Sequence, residues 1–275
     1  MDRLTFCFRN EHVNLDVEKI KFVLGNNFDL KYELFKVINI VKEKYLNSEY
    51  AKENNLKYEL KFNEEAMATS DFDFNIISTY FNMNNDLKNT AKSITANLFS
   101  NLLKDIEYSE NYQTLSIVYN DLIDYLNDKL GEETEKRLSI DSELTVKTLA
   151  KMLNLTFLED DLSLSYNDLS LKDNIMFQLK MYEIIAKNSN KRNLCLLNIP
   201  YVDLEIYDKI KQINSMFIVI TNKIINIDVP AKDILILDDF IIDLADDEKM
   251  YEVTMDYKEN ITIDELRLKL KESFC

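Results

Sequence analysis

The sequence predicts an α/β fold in which a mostly parallel sheet is covered by helices and is interrupted by an inserted helical hairpin. The second half of the chain alternates short apolar runs with amphipathic helical segments, which is the rhythm of β-α-β units. Runs such as residues 194–197 and 216–220 are continuously apolar, as in strands buried on both faces of a parallel sheet. Between residues 84 and 137 this rhythm gives way to two long helical patterns. The fold class therefore combines an α/β head with a helical leg.

In the first segment of the head, the sequence predicts four strands and one helix. The strands are at residues 3–8, 21–24, 57–62 and 74–81, and the helix runs from residue 28 to 45. The first and third strands alternate apolar and polar residues, whereas the fourth is more apolar and suits a sheet interior. Gly25 ends the second strand, and residues 47–55 read as a polar loop insertion. His12 falls in a polar segment that predicts an exposed turn after the first strand.

The insertion predicts two amphipathic helices that form an antiparallel hairpin. Apolar residues recur every three or four positions from about residue 84 to 108, and again from residue 112 to 130. A short polar link at residues 109–111 joins the two helices, and Gly131 is predicted to end the second one. A pair of helices is too narrow to hold a full core of its own. We therefore expect the hairpin to pack on the rest of the chain or on another copy.

The remainder of the chain returns to alternating strands and helices. Strands are predicted at residues 138–140, 155–158, 194–197, 216–220 and 234–237, and helices at residues 143–153, 171–188 and 204–213. Thr262 and Glu265 form a capping box before the last helix. The predicted domains are thus a head of residues 1–83 and 138–275 and a leg of residues 84–137.

The scarcity of glycine and histidine excludes most catalytic sites. Gly25 and Gly131 are the two glycines in the chain, so neither a phosphate-binding P-loop nor a dinucleotide-binding loop can be assembled. The nucleophile elbow of hydrolases is excluded for the same reason. With one histidine, His12, catalytic triads and most zinc enzymes are also largely excluded. We therefore expect a protein that is not an enzyme and binds no nucleotide.

Charge and cysteine content indicate the compartment and narrow the partners. The three cysteines are far apart and lack metal-site spacing, and no stretch has the roughly 20 apolar residues of a membrane span. These features predict a cytoplasmic protein with no membrane association. A net charge of −16 repels polyanions at long range. Nucleic acid is therefore not the default partner, although local clusters of lysine decide the matter.

Several charged clusters are candidates for binding. On the second leg helix Asp121, Asp124 and Asp128 share one face, with Asp141 and Glu143 following, and carboxylates of this kind suit a hard cation such as Ca²⁺. The alternative is a solvated acidic helix face. Lys88 and Lys92 lie one turn apart on the first leg helix and suit phosphates, or else they are ordinary surface lysines. A second basic cluster has the same two interpretations: it contains Lys187, Lys191 and Arg192.

The acidic run that begins at Asp238 leaves further interpretations open. The run ILILDD at residues 234–239 has the character of a metal-binding strand end of an ATPase, but there is no phosphate loop for it to serve. The same acids could belong to a metal-dependent nuclease or phosphohydrolase, for which no partner lysine or histidine can be assigned. An acidic module that binds basic protein partners is a third reading.

The order of several short segments resembles a known family. The segments are ELFKVI at residues 33–38, LKF at 60–62, YFNMN at 80–84, LSIDSEL at 138–144, LAKMLNL at 149–155, NLCLLN at 193–198 and a final strand DDF at 238–240. Their order and spacing over about residues 1–245 resemble the type II-A CRISPR-associated spacer-acquisition accessory protein, the second protein of the Csn series. Residues 47–55 and the end of the chain extend beyond the shorter members.

This resemblance implies a fold, an assembly and a set of partners. Members have an ATPase-like head without a functional nucleotide site and form homotetrameric rings that hold Ca²⁺ and encircle double-stranded DNA at its ends. They act in spacer acquisition, an antiviral adaptation, beside the CRISPR integrase proteins and the RNA-guided nuclease. By resemblance, the DNA-binding candidates are Lys88, Lys92 and Lys104, and the calcium candidates are Asp121, Asp124, Asp141 and Glu143.

Overall fold

The chain divides into two compact units. The structure, a computed structural model, describes residues 2–8, 11–43, 58–67, 71–79, 81, 94–103, 105–133, 140–153, 157–159, 162–164, 168–256 and 261–274. The head unit comprises Met1–Phe81 and Leu169–Cys275, and the leg unit comprises Asn82–Asp168. The sequence placed the far boundary of the leg at residue 137, whereas the leg unit continues to Asp168. It does so because a third helix of this unit packs on the first.

Strands and helices alternate along most of the described chain. The strands are β1 (Asp2–Phe8), β2 (Glu11–Val17), β3 (Ile20–Leu24), β4 (Tyr58–Phe62), β5 (Glu65–Ala66), β6 (Phe72–Ser78), β7 (Phe157–Glu159), β8 (Leu162–Leu164), β9 (Arg192–Asn198), β10 (Tyr201–Val202), β11 (Met216–Ile220), β12 (Lys223–Ile224), β13 (Ile234–Leu237) and β14 (Ile241–Asp243). The helices are α1 (Phe28–Glu43), α2 (Ile94–Leu102), α3 (Glu110–Glu133), α4 (Val146–Met152), α5 (Leu171–Asn188), α6 (Leu204–Gln212), α7 (Asp247–Asp256) and α8 (Ile263–Phe274). None of the described helices is long and apolar enough to span a bilayer.

A six-stranded sheet forms the centre of the head. Its order is β14-β13-β3-β11-β9-β6, and every neighbouring pair is parallel except β13 with β14. Every residue of β3 and β13 is buried, β11 is buried after its first residue, and β9 is buried between its first and last residues. Continuous burial explains why these strands are continuously apolar in sequence. The predicted mostly parallel α/β fold is confirmed.

A second, antiparallel sheet packs on the same core. Its order is β2-β1-β4-β5, and its strands alternate buried and exposed residues because one face is covered and the other is not. Apolar side chains of this sheet, of α1 and of the parallel sheet join in one core cluster, which includes Phe6, Leu15, Leu34, Ile38 and Leu196. Helix α1 therefore packs between the two sheets. On the opposite side, Tyr182 of α5 meets Phe217 of β11 edge to face, with ring centroids 5.8 Å apart.

Several sequence predictions need correction. His12 does not lie in a turn, because it is paired with Cys7 across strands β1 and β2 and strand β2 was not predicted at all. Residues 238–240 are not a strand but part of the turn between β13 and β14. Gly131 does not end a helix, since α3 continues to Glu133. The loop at residues 47–55, residues 84–93 of the first leg helix and residues 138–139 lie outside the described residues.

A buried ion pair ties the two sheets together. Lys21 of β3 is fully buried and donates to the Oδ1 of Asp243 of β14, which is 7% exposed. The Lys21 Nζ also donates to the carbonyl of Lys232 at 2.7 Å. Asp243 accepts backbone N–H groups from Asp16 at 2.9 Å and from Ala245 at 2.8 Å. Burial raises the pKa of Asp243 and lowers the pKa of Lys21, while their mutual attraction opposes both shifts.

Breaking this pair should destabilise the head strongly. Asp243→Asn leaves the Lys21 ammonium buried without a counter-charge, and we expect the free energy of unfolding to fall by about 3–5 kcal/mol in urea denaturation. The double variant Lys21→Met/Asp243→Asn removes both charges, keeps a side-chain oxygen for the N–H groups of Asp16 and Ala245, and should recover much of that loss. Asp264→Asn, at a carboxylate that is 91% exposed, is the control and should change stability by less than about 1 kcal/mol. Equal effects of Asp243→Asn and Asp264→Asn would contradict a structural role for the pair.

Candidate functional site

The carboxyl end of β3 is the place where a phosphate loop would lie in a strand–turn–helix unit. Here the turn from Gly25 to Asn27 is packed directly against the end of β13. Gly25 has φ of +97°, and a Cβ at this position would lie 2.1 Å from the carbonyl oxygen of Leu237. The N–H of Asn27 donates to the same oxygen at 3.0 Å. Since the turn and β13 are in contact, no space for a phosphate group separates them.

The amino end of α1 is already satisfied by its own residues. The Asn27 Oδ1 accepts the N–H of Leu30 at 3.1 Å, and the Asn27 Nδ2 donates to the carbonyl of Asp238 at 3.1 Å. Asp29 places a carboxylate in the first turn of the helix. A helix amino end attracts anions through its free N–H groups and its dipole, and both are countered here. This arrangement disfavours phosphate binding at the turn.

Lys31 is a residue of this region that the sequence analysis missed. Its side chain is buried, and its Nζ donates to the carbonyl of Thr221 at 3.0 Å and lies 3.4 Å from the Oδ1 of Asn222. Burial lowers the pKa of Lys31. The helical spacing of the sequence could have indicated that Lys31 is buried, because Lys31 falls on the same helical face as the core residues Leu34 and Ile38. Lys31 joins α1 to the carboxyl end of β11.

A glycine pair tests how closely the turn is packed. Gly25→Ala adds a Cβ against the carbonyl of Leu237 in a backbone conformation that side chains avoid, so we expect a loss of at least about 1–3 kcal/mol. Gly131→Ala, inside α3, is the matched control and should stabilise by up to about 1 kcal/mol. Thermal denaturation measures both variants. A Gly25→Ala protein as stable as the parent would show that the turn can move away from β13.

The four predicted calcium ligands lie in the leg unit and are all exposed. Asp121 and Asp124 are on α3, whereas Asp141 and Glu143 are in the extended segment at residues 140–145. Three polar contacts hold this segment along α3. The hydroxyls of Tyr119 and Ser142 lie 2.7 Å apart. Asn127 donates to the carbonyl of Ile140 at 2.9 Å, and Tyr112 donates to the carbonyl of Leu144 at 2.7 Å.

This arrangement does not collect the four carboxylates. Every second residue of the extended segment contacts α3, and Asp141 and Glu143 are the residues between those contacts. Within the described residues, no group of three or more histidine, cysteine, aspartate or glutamate side chains is placed to hold a metal ion. The same statement covers Asp238 and Asp239 at the turn after β13. A calcium site at Asp121, Asp124, Asp141 and Glu143 stays a prediction.

The basic candidates fall into two groups. Lys88, Lys92 and Lys104 lie outside the described residues, so their role in DNA binding also stays a prediction. The second cluster is described: Lys187 is in the last turn of α5, and Lys191 and Arg192 lead into β9 at the amino end of the parallel strands. Lys191 lies 3.6 Å from the Oδ1 of Asp73.

Helix α3 exposes an apolar stripe that the sequence analysis assigned to packing. The stripe consists of Leu115, Val118, Leu122, Tyr125 and Leu126, which are between 38% and 58% exposed. These residues recur at helical spacing, and a folded monomer normally covers such a face. Asp121 lies at the edge of the stripe, whereas Asp124 and Asp128 lie further round the same helix. An exposed apolar stripe of this kind suits a contact with another protein. If two copies met through it, acids near the stripe would place like charges close together.

Comparison with known proteins finds a structural relative without close sequence similarity. No family model and no curated protein matches the sequence. The chain is similar to the crystal structure of Stu0660 of Streptococcus thermophilus, with a TM-score of 0.65 and 16% sequence identity. The likeness covers 98% of this chain and 84% of that chain. At this identity the two proteins share a fold, and that fold extends over almost the whole of this chain.

Proposed function

We propose that the chain is a non-catalytic protein that assembles into a ring and binds double-stranded DNA at its ends, independently of sequence, during CRISPR spacer acquisition. The observation that carries the proposal is the exposed apolar stripe of α3, because it provides a surface for self-association in the unit that holds the candidate lysines. Calcium is proposed to stabilise the assembled state. The CRISPR integrase proteins and the RNA-guided nuclease are the proposed partners, following the sequence resemblance.

The geometry of the head supports a role without nucleotide chemistry. The turn after β3 is packed on β13 and the amino end of α1 is capped by Asn27, so the turn itself does not form a loop around a nucleotide phosphate. A head of this kind can still act as a rigid body in an assembly. The nuclease or phosphohydrolase interpretation of the acids near Asp238 is kept as the alternative and is tested below.

The occupant proposed for the apolar stripe is a second copy of the chain. Burying Val118 and Leu122 against an identical stripe would remove apolar surface from water on both copies. The same contact would bring the exposed Asp121 of each copy to the edge of the interface, and a divalent cation there would offset the repulsion. Calcium would then bind the assembly better than the single chain and shift the equilibrium towards the assembly.

Disrupting the stripe should dissociate the protein. The variant Val118→Asp/Leu122→Asp places charges in the proposed contact, and we expect light scattering after gel filtration to give the mass of one chain, whereas the parent gives the mass of a tetramer. Gln113→Asp adds a charge to an exposed position of α3 that is outside the stripe and two helical turns from Asp121, and it should leave the mass unchanged.

Calcium provides a second measurement on the same proteins. It should raise the melting temperature of the parent and of the control, but not of the dissociated variant, because its ligands come from more than one copy. A parent protein that is monomeric at every concentration, with and without calcium, would overturn the assembly.

Binding to linear and circular DNA tests the ring. A ring that threads onto DNA should shift linear duplex DNA in a gel, with calcium present, and should not shift closed circular duplex of the same sequence. Since the contacts are to phosphates, affinity should fall steeply as salt increases and should not depend on base sequence. Equal binding to linear and circular DNA would contradict threading of the ring onto DNA ends. Absence of binding at low salt would contradict the proposed DNA-binding function.

Lysine variants test which unit meets the DNA. Lys88→Glu/Lys92→Glu should weaken binding to linear duplex uniformly across sequences, because the substitutions remove two phosphate contacts and add repulsion. Lys223→Glu, at an exposed lysine of the head, is the control and should have a much smaller effect. Degradation of the DNA with Mg²⁺ or Mn²⁺, abolished by Asp238→Ala, would instead support the nuclease reading.

A further inference from the structure

A polar cavity of about 520 Å³ lies at the amino ends of the parallel strands of the head. It is at the opposite end of the sheet from the closed turn at Gly25. Three cations are among its lining residues: Lys19 precedes β3, and Lys191 and Arg192 lead into β9. In a chain with a net charge of −16, a cavity lined by three cations is unusual. Its size is in the range of sites that hold metabolite-sized ligands.

Arg192 is held in place by aromatic rings and not by a carboxylate. Its Cζ lies 4.8 Å from the ring centre of Phe62 and 5.9 Å from that of Phe72. None of the described carboxylates lies within ion-pair distance of the guanidinium. Stacking of this kind orients the planar group and leaves its fork of N–H donors for a ligand. An arginine that is oriented in advance loses little side-chain entropy when it binds an oxyanion in a bidentate manner.

The two acids that line the cavity have partners of their own. The Glu18 Oε2 accepts from the Nζ of Lys232 at 2.8 Å, and the Asp2 Oδ1 accepts from the Nδ2 of Asn63 at 3.2 Å. The Lys19 Nζ donates to a backbone carbonyl, which leaves its charge uncompensated by that bond. Asp2 keeps its charge in its bond to the neutral Asn63 amide, and Lys191 lies 3.6 Å from the Oδ1 of Asp73. The positive charge of the cavity therefore rests mainly on Lys19 and Arg192.

Asn193 supplies a polar group at the inner wall. Its side chain is 7% exposed, and its Nδ2 makes long contacts with the carbonyl of Ala186 at 3.3 Å and the carbonyl of Asn214 at 3.5 Å. Its Oδ1 is buried and has no hydrogen-bond partner in the described structure. A buried acceptor without a partner is costly, and a ligand that carries a hydrogen-bond donor would remove that cost.

We propose that this cavity binds a phosphomonoester, with Arg192 as the principal anion contact, Lys19 and Lys191 as supporting charges, and Asn193 as acceptor for a hydroxyl or amino group of the same ligand. A phosphomonoester carries close to two negative charges at neutral pH, which suits three cations better than one carboxylate does. The cavity has room for the sugar or base of a mononucleotide. The same chemistry occurs at the 5′-phosphate of a DNA end. The proposal does not depend on the ring described above.

Calorimetry with thymidine 5′-monophosphate, inorganic phosphate and thymidine tests the site in the full-length protein. Measurements at about 0.1 M salt screen the distant acidic surface, because the Debye length is roughly 10 Å. We expect the monophosphate to bind more tightly than inorganic phosphate and thymidine not to bind. Arg192→Gln should weaken binding of the monophosphate by at least about tenfold. Lys223→Gln, which removes one exposed charge far from the lining residues, should leave it unchanged.

A second variant and a binding measurement on duplex DNA complete the test. Lys19→Gln leaves the Arg192 stacking on Phe62 intact and should weaken the monophosphate severalfold without a change in melting temperature. If the natural ligand is a DNA end, 5′-phosphorylated duplex should bind more tightly than 5′-hydroxyl duplex, and Arg192→Gln should abolish that difference. The proposal is overturned if neither the monophosphate nor the phosphorylated end shows binding that depends on Arg192. That result would leave DNA binding through Lys88 and Lys92 untouched.

Discussion

The head depends on one buried charge pair at the edge of its parallel sheet. Lys21 sits in a strand whose every residue is buried, so its ammonium must find a counter-charge and acceptors inside the protein. Asp243 and the carbonyl of Lys232 meet that need, and Asp243 in turn holds the backbone of Asp16 in the antiparallel sheet. The pair thereby sets how β2, β3, β13 and β14 lie together. A buried pair of this kind favours a single arrangement because any other arrangement would leave a charge unpaired.

The two ends of the parallel sheet have taken different forms. At the carboxyl ends, where α/β proteins commonly bind ligands, the Gly25 turn lies against Leu237 and the buried Lys31 is used to join α1 to β11. At the amino ends, a cavity is lined by Lys19, Lys191 and Arg192, and no described carboxylate pairs with Arg192. Arg192 is stacked on Phe62 there instead of being paired with an acid. The Gly25 turn, which in this architecture is a common place for ligands, is thus used for packing.

In the leg unit the distribution of side chains favours association. Helix α3 is covered along one side by the segment at residues 140–145 through Tyr112, Tyr119 and Asn127, yet it leaves Val118 and Leu122 in water. Acidic residues beside an exposed apolar stripe oppose contact between copies unless a cation intervenes. The shared fold with Stu0660 extends over 98% of this chain and so includes the residues of both units.

The sequence alone determined the α/β class and the buried parallel strands, because continuous apolar runs are a local property of the chain. It also ruled out a phosphate loop, because such a loop needs several glycines close together. It determined the capping box at Thr262 as well, which the hydrogen bonds with Glu265 reproduce. Tertiary structure decided the rest. The polar alternation of β2 is short and was hidden by the turn-like residues around His12. The pairing of Lys21 with Asp243 joins positions more than 200 residues apart, and the cavity at Arg192 is lined by five separate segments. Neither the ion pair nor the cavity can be predicted from the order of residues along the chain, since both depend on which strand ends the sheet brings together.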